Sequence, residues 1–351
     1  MKNALLLAIT LFFATIGKAQ YRFSYLTVDD GLIENVVTDI YQDHDGYLWF
    51  STQDGLSMYD GYRFTNYSIS DNQAESLSDN FLWGITEDSL GYIWCCSRNG
   101  INRIDKKTGK CTWFFSDLKG SNQITSIAHF NGKVFAIISQ KVFSFDVKNE
   151  YLQQENLLEE SQQLTIPIEP YSLCINPENN ELFFIGATGV FNYSTKRMKK
   201  AKNSAKLTSH YHIESVAKDN SVWFTNGKQL LVYSLKTDSI KALTILPKDA
   251  DIFDILLVKN DIWLTTDNGI YILNNNKIKH HITKSEVALQ GLSSNYITSG
   301  LYDKSGKIWL GTGEFGISLY NPNKDQFKFI SNETFGKTVV IKGAVQDQKN
   351  R

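Results

Sequence analysis

The chain has 351 residues and a formal net charge of −1, with 42% hydrophobic and 13% aromatic residues. The balanced charge excludes the basic excess that nucleic-acid binding requires and the acidic blocks that are typical of disordered tails. The aromatic content favours a β-rich globular protein with a large core, since a helix-like pattern occurs only at 154–164, within a predicted linker.

The chain begins with the pattern of an export signal. Lys2 supplies the positive charge, residues 4–16 form an apolar stretch too short to span a bilayer, and small residues precede a cleavage point before Gln20. We therefore expect residues 1–19 to be a signal peptide and the mature chain to be periplasmic. No later hydrophobic run approaches the length of a membrane span, so none is expected within these residues.

From residue 45 onward, a short motif with a central large aromatic residue recurs seven times. It reads DGYLWFSTQDGL at 45–56 and SGKIWLGTGEFGI at 305–317, for example. The anchor aromatics are Trp49, Trp94, Phe135, Phe183, Trp223, Trp263 and Trp309. Their spacing of about 40 to 48 residues, with strands and no helix in each repeat, predicts one propeller blade per repeat.

The first repeat divides into four short strands separated by glycine-containing turns. The strands are predicted over 36–42, 47–52, 56–59 and 63–67. Because a lone four-stranded sheet buries little surface, the blades must stack, with the anchor aromatics between them. The sequence thus predicts an all-β fold, a seven-bladed β-propeller with four antiparallel strands per blade, over residues 20–335.

Both ends of the predicted propeller carry repeat-like segments. Residues 22–26 resemble a fourth strand, so we expect them to close the ring on the blade that holds Trp309. Residues 340–347 (VIKGAVQD) resemble 36–43 (VVTDIYQD). We therefore expect 336–351 to be the start of an eighth repeat, in a fragment that stops within a truncated second propeller.

The repeat matches a known consensus: an acid six residues before the Trp, a Gly three before it, then a small residue with Thr, a turn, and Gly-Leu or Gly-Ile. The first repeat carries it as Asp43, Gly46, Trp49, Ser51-Thr52 and Gly55-Leu56, and the seventh as Asp303, Gly306, Trp309, Gly311-Thr312 and Gly316-Ile317. This resembles the two-component regulator propeller repeat. The resemblance extends over nearly all of 21–351, strongly in the first, second and seventh repeats and weakly in the third and fourth.

The resemblance implies a setting for the chain. Such repeats form the periplasmic sensor region of hybrid two-component system histidine kinases in Bacteroidetes-type bacteria, where two propellers precede a small β-domain, a membrane helix and a kinase. It implies a homodimeric full-length kinase anchored in the inner membrane, with an oligosaccharide released from a glycan as ligand. The second propeller and the downstream domains of the same chain are then the partners, and this fragment is no enzyme and holds no cofactor.

Strand order assigns the loops to two faces of the predicted propeller. Turns between strands one and two and between strands three and four lie on one side, here called the first face. Connections between blades, and turns between strands two and three, lie on the other side, here called the second face. The long connections 68–80, 149–169 and 283–295 belong to the second face, so the ligand is expected there.

Candidate ligand-binding residues follow from this assignment. Trp83, near the start of an inner strand, supplies an aromatic platform, and Arg98 and Asn99 in a second-face turn supply planar hydrogen-bonding groups. The other candidates lie in equivalent turns and are Gln53, Asp54, Asp267, Asn268 and Glu314, the last next to Phe315. The alternative that the polar residues only satisfy turns, and that Trp83 packs within its blade, stays open.

The sequence offers little support for metal binding or catalysis. Its four cysteines, Cys95, Cys96, Cys111 and Cys174, show no Cys-x-x-Cys spacing, so no metal site is expected. Buried free thiols, or a bridge from Cys111 to Cys95 or Cys96, are both open. The histidine pairs, His280-His281 among them, are interpreted as solvated loop residues.

Two alternatives to a sensor are kept. The propeller could serve as a non-catalytic platform for protein interaction or dimerisation, because the fold does not decide the function. It could also be an exported glycan-active enzyme. Against the enzyme, the sequence marks out no carboxylate pair for acid–base work. A sialidase needs three converging arginines, and four of the six arginines lie in the first blades and the linker before them.

Overall fold

The computed structural model describes residues 21–72, 74–115, 124–155, 170–186, 189–200, 215–218, 220–247, 250–285 and 291–322. The expected signal peptide at 1–19 and the expected eighth repeat at 336–351 lie outside these described residues, as do the expected domain boundaries.

The described residues form seven four-stranded antiparallel sheets, which confirms the seven-bladed all-β prediction. Blade one comprises β2 (Val37–Gln42), β3 (Leu48–Thr52), β4 (Gly55–Tyr59) and β5 (Phe64–Tyr67). Blade two comprises β6 (Leu82–Glu87), β7 (Ile93–Ser97), β8 (Gly100–Ile104) and β9 (Cys111–Phe114). Blade three comprises β10 (Ile124–Phe130), β11 (Lys133–Ile138), β12 (Lys141–Asp146) and β13 (Tyr151–Glu155). In these three blades the spatial order of the strands follows the chain.

The remaining blades repeat this plan. Blade four comprises β14 (Pro170–Asn176), β15 (Glu181–Gly186), β16 (Gly189–Asn192) and β17 (Arg197–Lys200), and blade five comprises β18 (Ser215–Lys218), β19 (Ser221–Asn226), β20 (Gln229–Ser234) and β21 (Ser239–Ile245). Blade six comprises β22 (Ile252–Val258), β23 (Asp261–Thr266), β24 (Gly269–Asn274) and β25 (Lys277–Ile282). Blade seven comprises β26 (Ile297–Tyr302), β27 (Ile308–Thr312), β28 (Ile317–Tyr320) and, as its fourth strand, β1 (Phe23–Leu26). One short 3₁₀ turn, Val28–Asp30, follows β1.

The blades close into a ring about a central axis. The first strand of each blade contacts the first strand of the next: β2 with β6, β6 with β10, β10 with β14, β14 with β18, β18 with β22, β22 with β26, and β26 with β2. These inner strands therefore surround the axis, and the fourth strands form the outer edge of the molecule.

The ring is closed by a strand from the N-terminal side, as the sequence predicts. β1 pairs antiparallel with β28, from Phe23 opposite Tyr320 to Leu26 opposite Ile317. Phe23 is buried in the core cluster of blades six and seven, and the Tyr25 hydroxyl donates to the Gly291 carbonyl at 2.8 Å. Closure thus combines a complete backbone ladder with apolar burial.

The acid of the repeat motif forms a hydrogen-bonded cap for the turn between strands one and two. The indole Nε1 of Trp49 donates to Asp43 Oδ2 at 2.9 Å, and the Tyr47 amide donates to Asp43 Oδ1 at 2.9 Å. Blades two and seven repeat this arrangement through Asp88 with Trp94 and Asp303 with Trp309. Because Asp43 is fully buried, these bonds satisfy a carboxylate and an indole that would otherwise be costly to bury.

The glycine that begins the third strand is required by backbone contact. At Gly100, φ is +101°, and a Cβ would lie 2.3 Å from the carbonyl oxygen of Phe114. Gly55, Gly269 and Gly316 lie against backbone carbonyls at the end of the fourth strand in the same way. The Gly-Leu or Gly-Ile step of the motif is therefore a packing requirement of the turn on the second face.

The anchor aromatics pack between neighbouring blades, as expected. Trp309 of blade seven contacts Phe50 and Tyr59 of blade one, each with ring centroids 6.0 Å apart. Trp94 of blade two contacts Phe145 of blade three at 5.2 Å. Each such side chain removed from water contributes about 2–3 kcal/mol, so these contacts hold the ring together.

Three sequence interpretations need correction or completion. The expected connection 149–169 contains β13, so the connection begins only after residue 155. The pair His280-His281 lies in β25 rather than in a loop, and the His281 ring stacks on Tyr271 at 4.1 Å. All four cysteines are free thiols; Cys111 is half-buried and the other three are buried.

Candidate functional site

The connections that form the second face are held by an asparagine just before the inner strand. Asn80 Oδ1 accepts from the Ile69 amide at 2.7 Å, Asn35 Oδ1 from the Val28 amide at 3.1 Å, and Asn295 Oδ1 from the Lys284 amide at 2.7 Å. The residue after each asparagine then enters the inner strand at the second face. Phe81 and Tyr296 occupy this position in blades two and seven.

A bulge near the start of the inner strands turns a side chain toward the next blade. The Thr38 hydroxyl donates to the Leu82 carbonyl at 2.6 Å, and the Trp83 indole donates to the Ile124 carbonyl at 2.9 Å. Trp83 is half-buried and packs against the core of blades two and three. Trp83 therefore links two blades at the second face, and its indole N–H is already engaged.

Trp83 and Arg98, two of the sequence candidates, are brought together through an aromatic residue that sequence reasoning missed. The Arg98 guanidinium lies 3.9 Å above the Phe81 ring, and Phe81 contacts Trp83 edge-on with centroids 5.8 Å apart. Arg98 is exposed, whereas Phe81 and Trp83 are half-buried. The three side chains form a continuous cationic and aromatic stack that opens on solvent.

The neighbouring polar candidates are partly engaged by the loops. Asn99 Nδ2 donates to the Ser78 carbonyl at 3.3 Å, and Asp54 Oδ1 accepts from Asn80 Nδ2 at 2.8 Å. The Gln53 side chain is exposed. These residues lie around the stack, and the name blade 1–2 rim site is used below for Gln53, Asp54, Phe81, Trp83, Arg98 and Asn99.

The remaining candidates lie in a second group, on blades six and seven. Asp267 Oδ1 accepts from the Asp251 amide at 2.9 Å, the Asn268 carbonyl is 2.7 Å from His281 Nε2, and Glu314 is exposed. The structure thus distributes the sequence candidates over two groups on the second face, with the 27–36 connection between them along the ring.

The second group also contains aromatic surface. Tyr296 and Phe315 are 44% and 43% exposed, and the Tyr296 ring packs beside Phe253 at 5.0 Å. Lys284 Nζ lies 4.7 Å above the Phe315 ring. The name blade 6–7 rim site is used below for Phe253, Asp267, Asn268, Lys284, Tyr296, Glu314 and Phe315.

The Tyr296 ring is positioned by close backbone packing. A Cβ on Gly313 would lie 2.3 Å from a carbon of the Tyr296 ring, so a larger residue at this position would displace that ring. The Gly313 amide also donates to the Tyr296 carbonyl at 3.0 Å. Partial burial, followed by the charge of Asp267, raises the pKa of the Tyr296 hydroxyl, which therefore stays a neutral donor at physiological pH.

The first face holds a charged cluster in place of a metal site. Asp43, Asp45 and Glu87 are the one group of three ligating side chains within reach of a single ion among the described residues. The Lys106 ammonium lies between them, 2.7 Å from Asp45, 2.6 Å from Glu87 and 3.1 Å from Asp43. Burial lowers the pKa of Lys106, but these hydrogen bonds outweigh it and hold that pKa well above its ordinary value, so an ammonium already occupies the position between the three carboxylates.

Two further carboxylates, both half-buried, lie in the inner ring and join blades. Asp39 Oδ2 accepts from the Ile85 amide and Asp254 Oδ2 from the Gly300 amide, each at 2.9 Å and each from the following blade. Burial, followed by the charge of Asp254, raises the pKa of Asp39 to about 7, and burial raises that of Asp254 to about 6. Their role is structural, since they bind backbone amides between blades.

The fold defines the class of the protein as a seven-bladed β-propeller. Residues 31–54 match the family model described as the two component regulator propeller, which confirms the resemblance at the first repeat. Over the described residues, no helix is long and apolar enough to cross a membrane.

Comparison with individual proteins adds a relative and two structures. Over 83 residues the chain is 39% identical to "Histidine kinase P4" of Formosa agariphila, a match that covers 22% of this chain and 6% of that protein. The extracellular domain of the putative hybrid two component system BT4673 from B. thetaiotaomicron superposes with a TM-score of 0.68 at 21% identity, covering 85% of this chain and 39% of that one. Virginiamycin B lyase from Staphylococcus aureus superposes with a TM-score of 0.64 at 16% identity, covering 86% and 98%.

These structural likenesses show the fold alone. The chain spans about two fifths of the extracellular domain that it resembles, and 6% of the histidine kinase. Since the same propeller also occurs in a lyase, the fold does not separate a sensor from an enzyme.

Proposed function

We propose that this chain is the exported ligand-sensing propeller of a hybrid two-component sensor whose histidine kinase lies outside these residues. The observation that carries the proposal is the match of residues 31–54 to the two component regulator propeller. The segment shared with a histidine kinase and the fold shared with a hybrid two component extracellular domain support the same assignment. In this proposal residues 1–19 direct export to the periplasm, and residues 20–335 form the propeller.

The ligand in this proposal is an oligosaccharide derived from a glycan, and it binds on the second face. Sugar rings stack on exposed aromatic faces and take hydrogen bonds from planar polar groups. Both rim sites supply this combination: Phe81 with Arg98 and Asn99 in one, and Tyr296 and Phe315 with Asn268 in the other. A rigid ring carries both, so little ordering is required on binding.

Titration calorimetry of the full chain against a panel of glycan-derived oligosaccharides tests this function, with chromatography of the same samples to detect cleavage. Binding without product formation is the expected result. Product formation would favour an exported enzyme instead. Absence of binding to every oligosaccharide would contradict the sensing role of this propeller.

A platform for protein interaction is the second candidate, and exposed apolar side chains on the first face favour it. Tyr62 is 95% exposed, Leu90 66% and Tyr47 39%, all in turns of blades one and two. Sedimentation velocity of the chain and of the variant Tyr62→Ser/Leu90→Ser tests self-association through this surface. A loss of dimer in the variant would support the platform, and a monomer at all concentrations would contradict a homodimer formed by it.

A further inference from the structure

The part of the second face that carries both rim sites is acidic. On blades six, seven, one and two, the described residues of this face supply eight carboxylates and two cations. The carboxylates are Asp29, Asp30, Glu34, Asp54, Asp79, Asp251, Asp267 and Glu314, and the cations are Arg98 and Lys284. Residues 70–72 and 74–76 are not part of this surface, because Ala74 and Ser76 bond to β9 along the outer edge and Ser70 and Asn72 bond to them. The chain as a whole has a net charge of only −1, so the excess of negative charge is local.

Hydrogen bonds fix several of these carboxylates but leave their charge in place. Asp30 Oδ2 accepts from the Thr27 amide at 2.9 Å, Glu34 Oε2 from the Val36 amide at 2.7 Å, and Asp79 Oδ1 from the Phe81 amide at 2.7 Å. These carboxylates are therefore held in place by the backbone of the loops, and the acidic surface at the rim belongs to the loop architecture.

The two cations offset only part of this field, since two positive charges stand against eight negative ones. The Arg98 guanidinium lies over the Phe81 ring and the Lys284 ammonium over the Phe315 ring, so each cation already has an aromatic partner. The rings themselves attract positive charge. An amino group on a ligand can take the place of either cation, whereas a carboxylate or sulfate faces aromatic quadrupoles and surrounding acids of the same sign.

From this charge distribution we infer that the oligosaccharide recognised at the rim is neutral or carries amino groups, and that saccharides bearing uronate or sulfate are rejected. The inference rests on the proposed function, since it names the class of ligand for the same surface. The inference concerns selectivity. Repulsion between the acidic rim and an anionic saccharide lowers the affinity of that saccharide and so favours neutral or cationic ligands.

Calorimetry with size-matched hexasaccharides tests the inference. The neutral probes are hexamers of xylose, mannose and galactose, the cationic probe is the glucosamine hexamer, and the anionic probes are hexamers of galacturonate and guluronate. Each titration is run in EDTA, which removes bridging divalent cations, at low and at high NaCl concentration. We expect at least one neutral or cationic probe to bind, and both anionic probes to bind about tenfold more weakly or not at all at low salt.

A charge variant separates the field from the shape of the site. Asp29→Asn/Glu314→Gln removes two exposed rim charges, and Glu150→Gln/Glu178→Gln removes two exposed charges from turns on the first face. The rim variant should bind the anionic hexamers several-fold more tightly than the unmodified chain at low salt, and the first-face variant should not.

The outcomes distinguish the two levels of the argument. Anionic probes that bind as tightly as the best neutral probe would overturn the inference and leave the sensing function standing. Discrimination that is unchanged by high salt and by Asp29→Asn/Glu314→Gln would also overturn it, because the field would not be the cause. Failure of every probe to bind would overturn the proposed function and the inference together.

Discussion

Blades one, two and seven differ from blades three to six in how they are held together. In the first set, an aspartate six residues before the anchor bonds both the tryptophan indole and the amides of the turn. In the second set, the same position holds His129, Pro177, Ala217 and Leu257. All seven nevertheless form complete four-stranded sheets.

The second set relies on packing and on other polar contacts. The blade-three anchor Phe135 packs on Phe184 and Tyr193 of blade four, with centroids 6.2 and 5.2 Å apart. Glu155 accepts from the Ser144 hydroxyl at 2.6 Å and from the Tyr193 hydroxyl at 2.9 Å, which joins the same two blades. The motif therefore encodes a turn cap within a blade, while blade formation needs only alternating apolar strands and a large residue between sheets.

The second-face turns provide the largest test of this difference. Gly100→Ala in blade two should lower the free energy of unfolding by about 3–4 kcal/mol, because φ is +101° and the new methyl group would lie against the Phe114 carbonyl. In blade three Lys141 occupies the equivalent place at an ordinary φ. Lys141→Ala should stay within about 0.5 kcal/mol in guanidinium unfolding. Equal effects of the two changes would refute the packing explanation.

The carboxylate cap gives the next largest effect. Asp303→Ala should cost about 3 kcal/mol, because it leaves the buried Trp309 N–H and several turn donors without an acceptor. His129→Ala, six residues before the blade-three anchor but within β10 and not in a turn, should cost about 1 kcal/mol. Urea unfolding of the two variants, with Asp303→Asn as the conservative change, measures the difference.

The same aspartate predicts a pH dependence. Burial raises the pKa of Asp303, but hydrogen bonds from Trp309 and Ser305 outweigh it and hold that pKa below its ordinary value. Its contribution is therefore present above the ordinary pKa of aspartate and is lost as the pH falls toward the lowered value. The difference in stability between the native chain and Asp303→Asn should shrink in acid, and a constant difference across that range would contradict the cap.

The half-buried carboxylates of the inner ring, Asp39 and Asp254, should show the opposite sign of pH dependence. The pKa of Asp39 is raised to about 7 and that of Asp254 to about 6. The free energy of unfolding is therefore highest below the ordinary pKa of aspartate, where both groups are protonated, and falls as the pH rises through these raised values. Asp39→Asn keeps an acceptor for the Ile85 amide and should reduce this loss of stability by about 2 kcal/mol. Thermal unfolding from mildly acidic to neutral pH measures it, and a steeper loss in the variant would contradict the assignment.

The fold was accessible from the sequence because each blade repeats the same few constraints. The anchor spacing predicts seven blades, and the likeness of residues 22–26 to a fourth strand predicts the closure that β1 forms with β28. The fourth strand of blade three, Tyr151–Glu155, was missed because polar residues dominate it and no glycine marks its end. Outer strands need little hydrophobic pattern, since they pack on one neighbour only.

The rim was predicted only in part, for a physical reason. The order of turns and connections along the chain predicts that the candidate ligand-binding residues lie on the second face. Which candidates lie close together depends on how the connections fold across the ring, and the sequence does not show this. Phe81 and Tyr296 read as the apolar start of an inner strand, and only the shared asparagine before each one marks them as rim residues. The sequence likewise gives no sign that the Trp83 indole is engaged by the next blade.

The smallest expected effect on stability comes from a comparison of the two rim sites. Phe81→Ala removes the ring under Arg98, and Tyr296→Ala removes the ring that packs on Gly313. Both changes should leave the free energy of unfolding within about 1 kcal/mol of the unmodified chain, because neither Phe81 nor Tyr296 is fully buried. Each should weaken oligosaccharide binding about tenfold if its ring forms part of the ligand platform.

Titration calorimetry of these two variants with the same neutral hexasaccharide locates the ligand between the rim sites. A loss of affinity confined to Phe81→Ala would place the ligand at the blade 1–2 rim site, and a loss confined to Tyr296→Ala would place it at the blade 6–7 rim site. Equal losses would mean that one ligand spans both sites across the 27–36 connection. Unchanged affinity in both variants would remove the aromatic rings from the recognition surface, because the stacking that each ring offers would then contribute nothing to binding.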